Sequence, residues 1–226
     1  MRHAVVRNGC IVALSFVALV AESPGAASQD AATSVEIADD EGLAAMRSRI
    51  FAFVAALVDY TKDVRLDAPA LEAILEHYSA LDEIHDGEDD GRVVERAFQE
   101  GRYDFDVIVR DPAYEAWCRD RGLKPETFFT GLLRLEALRM REEGLSGLER
   151  ASAELPEQEA ELEKMRERVG EEAYREGLAA LEAAAAMVEE TRELMAGLPE
   201  PSAEEAALLG EHRERIRATL DEDGLE

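Results

Sequence analysis

Apolar residues recur at spacings of three and four along nearly the whole chain, the period of an α-helix that buries one face. In the first such run Leu43, Met46, Ile50, Phe53, Leu57 and Val64 share a face, behind Asp39 or Asp40 as the capping residue. Asp67-Ala68-Pro69 starts a second, with Leu71, Ile74, Leu75, Tyr78, Leu81 and Ile84 on its apolar side. Asp111 caps a third that has Pro112 in its first position, and Gly122 is placed to end it in a left-handed turn. Pro125 opens the next, behind Lys124, a poor capping residue. It carries Phe129, Leu132, Leu133, Leu135, Leu138 and Met140, with interruptions expected at Gly144 and Gly147. A new run is expected from Pro156, a long helix after Gly170, and a last helix behind Ser202 carrying Leu209, His212, Ile216 and Leu220.

One segment departs from this period. In "YDFDVIV", 103–109, Tyr103, Phe105, Val107 and Val109 alternate with polar Asp104 and Asp106, as in a strand. No second strand is there to pair with it, so an extended linker or a helical turn is expected. The pattern predicts an all-α fold, an irregular bundle of about six to eight helices. Aromatic residues crowd before position 130, and only Tyr174 follows. Residues 39–155 are therefore read as an aromatic-rich helical core. Residues 156–226 are read as leaner helices forming an antiparallel hairpin or arm, packed into the same domain.

The beginning of the chain has another pattern. Arg2, His3 and Arg7 precede an apolar run from Cys10 to Ala21, and Ala26-Ala27-Ser28 follows. The run is shorter than the roughly 20 residues a spanning helix needs. It fits a secretory signal peptide over 1–28, followed by a flexible lead over 29–38 and a periplasmic or secreted destination. The mature chain would then hold 50 acidic and 23 basic residues, with the excess spread over both halves. Such a surface repels phosphate backbones and anionic lipids. Nucleic acid is excluded as a partner, and so is stable membrane association after cleavage; a protein partner on the helix faces is allowed. Cys118 is the one cysteine left, so packing has to supply stability without an internal disulfide.

Candidate chemistry is sparse. "HDGEDDGRVVE", 85–95, places Asp86, Glu88 and Asp90 at alternate positions before Gly91, the first half of a calcium-binding loop, with the Arg92 carbonyl as a further ligand. Val94 and Ala97 stand where the second half needs oxygen ligands, and the same acids serve as turn and cap between two helices. Asp82-x-x-His85 offers two ligands on one helical face, but neither His77 nor His212 repeats it, as a di-iron bundle requires. Tyr114, Trp117, Phe128 and Phe129 suit core packing, or alternatively the lining of an apolar pocket. Cys118 lies beside acids that disfavour a thiolate, which suits a core cysteine rather than a nucleophile. No nucleotide fingerprint, phosphate loop or G-x-S-x-G is present. The reading is an exported, acidic, non-enzymatic binding or protein-interaction module with no cofactor. Two alternatives stand beside it: an ion-responsive protein holding Ca2+ weakly through the 86–91 acidic loop, and an enzyme with a pocket at Tyr114 and Trp117 served by Asp104, Asp106 or Asp111.

Overall fold

The computed structural model describes residues 40–85 and 103–221, and the described residues form helices with no strand among them. In chain order they are α1 (Asp40–Thr61), α2 (Ala68–His77), a 3-10 helix (Ser79–His85), α3 (Phe105–Val109), α4 (Pro112–Asp120), α5 (Pro125–Val169), α6 (Glu171–Ala196), α7 (Ala203–Glu211) and α8 (Arg213–Asp221). The fold is all-α, a helical bundle.

Local chemistry explains most of the boundaries. The Asp67 carboxylate accepts a hydrogen bond from the Ala70 N–H at 2.9 Å and starts α2, with Pro69 in the first turn. Asp111 accepts from both Ala113 and Tyr114 N–H at 2.9 Å and starts α4. Gly122, at φ 69, ends it, and the Leu123 N–H then donates to the Cys118 carbonyl at 2.8 Å. Lys124 makes no capping bond at the start of α5, so Pro125 and the preceding turn set that boundary. The ambiguous 103–109 stretch becomes one short helix, α3, because Asp104 caps it and Phe105 turns into the core.

Four boundaries differ from the periodicity reading. The first helix ends at Thr61, short of Val64, whose N–H turns back to the Thr61 carbonyl at 3.1 Å. The second helix stops at His77 and continues as 3-10, since the Trp117 indole N–H takes the Ala80 carbonyl at 3.1 Å and Leu81 bonds back three residues to Tyr78. The last helix divides at His212 into α7 and α8. There Glu72 of α2 meets both the His212 imidazole, at 3.6 Å, and the Arg215 guanidinium, at 2.8 Å. Most consequentially, α5 runs unbroken for 45 residues through Gly144, Gly147 and Pro156. The expected new helix at Pro156 does not begin there, and the 155/156 division falls inside α5. Gly144 is needed for packing: a Cβ there would lie 2.7 Å from the Met195 sulfur of α6. Pro156 is on the exposed face, where water can take the carbonyl that loses its donor.

The core sits where the first half of α5 meets α1, α2 and α4. Phe53, Leu57, Leu71, Ile74, Leu133, Leu135 and Cys118 are fully or almost fully buried there. Beyond Ala151, α5 leaves the core with α6 beside it. From Ser152 to Met187 no residue is buried, so the two helices form an arm about 27 Å long. Gly144 faces Met195 and Gly177 faces Leu162, pairs centred on the 169–170 turn, which sets an antiparallel register. Leu155, Leu162, Leu178 and Leu181 are half-buried along the arm. Gly170, at φ 86, makes the turn, and Arg166 closes it with hydrogen bonds to Glu171 while lying 4.6 Å from the Tyr174 ring.

Candidate functional site

The four aromatic residues singled out from the sequence come together. Tyr114 stacks on Trp117 at 6.3 Å, Trp117 meets Phe128 at 5.7 Å and Tyr114 meets Phe129 edge-on at 6.1 Å. All four are buried, and their polar atoms are engaged: the Tyr114 hydroxyl donates to the Pro125 carbonyl at 3.1 Å, and the Trp117 N–H to Ala80. Burial pushes the Tyr114 phenol and the Cys118 thiol up, which keeps both neutral. Asp104 and Asp111 act as caps. Asp106 accepts a hydrogen bond from Tyr60 at 3.2 Å. Burial first, and then this bond, raise the Tyr60 phenol to about 12. The calcium candidates Asp86, Glu88, Asp90 and Arg92 lie outside the described residues. Among the described residues, no group of three or more His, Cys, Asp or Glu is placed to hold a metal ion.

Two polar arrangements were not read from the sequence. The first is a buried lock between α5 and α7. The Arg134 Nε donates to Glu205 Oε1 at 2.9 Å and its Nη2 to Oε2 at 3.0 Å, with both side chains 1 % exposed. Glu205 also accepts from the Leu66 N–H at 3.0 Å and the Ser202 N–H at 2.8 Å. Ser202 in turn accepts from the Glu205 N–H, so one carboxylate serves a capping box and a salt bridge together. Burial opposes its ionisation, but the Arg134, Leu66 and Ser202 donors prevail and hold its pKa well below the usual carboxylate range. Ser202-x-x-Glu205 is a legible capping box; that its glutamate also meets Arg134 is a tertiary fact with no local signal. The Arg134 Nη1 atom is buried without a hydrogen-bond partner, so the lock keeps an unmet cost. Beside it, Arg141 donates to the α6 carbonyls of Met195 and Ala196 and to the Leu198 carbonyl, capping the C-terminal end of α6.

The second arrangement is an open cleft of about 260 Å³ between the middle of α5 and the α7–α8 pair. Leu209 and the buried Ile216 give it an apolar floor. Four arginines reach its rim, Arg139 and Arg150 from α5 and Arg213 and Arg217 from α8. Two carboxylates share that rim. Glu142 accepts from Arg213 at 2.9 Å, and Glu143 lies 3.7 Å from Arg139. Spacings of three and four along α5, and of four between Arg213 and Arg217, place these charges on facing helix sides. That could be read within each helix, but not across the pair.

Comparison with protein-family models, curated proteins and solved structures matches none of them. No helix of the described residues is long and apolar enough to cross a membrane.

Proposed function

We propose that the protein is an exported, non-enzymatic interaction module whose contact element is the α5–α6 arm. The observation that carries this reading is the arm itself: 36 consecutive residues, 152–187, none of them buried. Helix pairs this lean gain little from their own seam, because most helical stability comes from packing an apolar face. The arm adds no buried residue to the core, so its value to the protein lies in what it presents. At its tip Met165 and Val169, one turn apart on α5, are 38 % and 43 % exposed. Around them the arm has ten acidic and four basic residues. A partner with an apolar patch rimmed by basic residues suits that tip. The basic and then apolar start of the chain supports an encounter outside the inner membrane.

The test is chemical cross-linking in a host that exports the native chain, comparing it with Met165→Glu/Val169→Glu. Both positions are exposed, so the variant should keep the native melting temperature. The reading expects one recurrent cross-linked protein that the variant loses. An unchanged cross-linking pattern would count against the arm as the contact element.

A further inference from the structure

The cleft between α5 and α7–α8 reverses the charge balance of the chain around it. The whole sequence has 51 acidic and 25 basic residues, yet the rim gathers four arginines against two glutamates. Pairing Glu142 with Arg213 and Glu143 with Arg139 uses up both carboxylates. Arg150 and Arg217 are left, and neither has an ion-pair partner among the described residues. Glu154 lies one turn from Arg150 on α5 and Glu214 one turn from Arg217 on α8, but neither lines the cleft. Beneath these guanidinium groups lies an apolar floor made by Leu209 and Ile216.

We propose that this cleft is a binding site for a small organic carboxylate, an anionic head joined to a compact apolar body. Two features select that class. Guanidinium forks match the planar, two-oxygen geometry of a carboxylate. The floor rewards burial of a hydrocarbon group, which a bare inorganic anion cannot provide. The volume, about 260 Å³, suits a ring or short chain. Glu142 is an internal competitor: its carboxylate holds Arg213, and an incoming carboxylate contends with it for that guanidinium. The inference is independent of the arm, and neither depends on the other.

The test uses benzoate as the probe, followed by NMR on the full mature chain with Leu and Ile methyl labels. The site expects saturable shifts at Leu209 and Ile216, with a Kd of about 1 mM, as befits a shallow site and a ligand of few atoms. Benzylamine, with the same ring and the opposite charge, should give no saturation, and inorganic phosphate should bind at least about tenfold more weakly. Arg150→Ala/Arg217→Ala should weaken benzoate by about tenfold while leaving the melting temperature unchanged, as both side chains are exposed. Glu142→Gln should strengthen it by about two- to fivefold, a gain that a merely structural role for these residues does not produce. Equal response to benzoate and benzylamine, or a benzoate affinity indifferent to both variants, would overturn the proposal.

Discussion

One helix, α5, lives in two environments, and the contrast between its halves organises the molecule. Its first half, through Ala151, contributes Phe128, Leu132, Leu133, Leu135, Leu138, Met140 and Leu148 to the buried core, together with the buried Arg134. Its second half buries nothing. Backbone geometry is the same in both. What changes is the neighbour: α1, α2, α4 and α7 surround the first half, whereas α6 alone accompanies the second. Helical propensity and a seam of half-buried leucines keep the helix pair together, but the free energy that holds the fold resides in the first half.

The largest break in that comparison is expected at the lock. Arg134→Met leaves the Glu205 carboxylate buried without its cation and should cost about 3–5 kcal/mol in chemical denaturation. Adding Glu205→Leu should recover part of this loss, because the stranded charge is then gone, while the Leu66 and Ser202 N–H groups remain unmet. The same pair should appear in the pH profile. Because folding lowers the Glu205 pKa, the folded state holds fewer protons on this group than the unfolded chain. The stabilisation is present in full above the ordinary glutamate pKa of about 4.3 and fades as the pH falls below it. The unfolding free energy of Glu205→Gln should depend less steeply on pH over that range than that of the parent.

Truncations of comparable chemistry should then separate the halves. Leu133→Ala, at a fully buried site, should cost about 2–5 kcal/mol, and Leu178→Ala on the arm seam under about 1 kcal/mol. The two packing glycines sharpen this further. In either, alanine gains roughly 1 kcal/mol of helix propensity. At Gly144 the new methyl meets the buried Met195 sulfur at 2.7 Å and its Cγ at 2.9 Å, so overpacking should prevail with a net loss of about 1–2 kcal/mol. At Gly177 it meets only the tips of Leu162, which is half-buried and can turn away, so Gly177→Ala should be neutral or stabilising by up to about 1 kcal/mol. Thermal melts of the two variants make the comparison directly.

Much of the core half was legible in the sequence. Ile50, Phe53, Leu57, Leu71 and Ile74 were placed by their period, and Asp67, Asp111, Gly122 and Ser202 by cap and turn chemistry, because these signals act within a few residues. The continuity of α5 was not legible. Two glycines and a proline argue locally for breaks, and only the packing of Gly144 on Met195 and the exposed setting of Pro156 explain why none occurs. The lock and the cleft were hidden for a related reason. Arg134 stands among Leu132, Leu133 and Leu135, and its partner is 71 residues away. The cleft arginines belong to helices whose adjacency no local pattern encodes. Long-range polar pairing is where single-sequence reasoning is weakest, since it depends on which faces meet after folding.

The central claim, that α5 is one helix with two energetic regimes, is tested most directly by native-state hydrogen exchange resolved by residue. The account predicts that amides of residues 128–151 exchange only with global unfolding, while those of 152–169 and the facing part of α6 exchange through a separate opening several kcal/mol less costly, on the order of 2–4 kcal/mol. Uniform protection along α5, with one opening free energy from Phe128 to Val169, would contradict it.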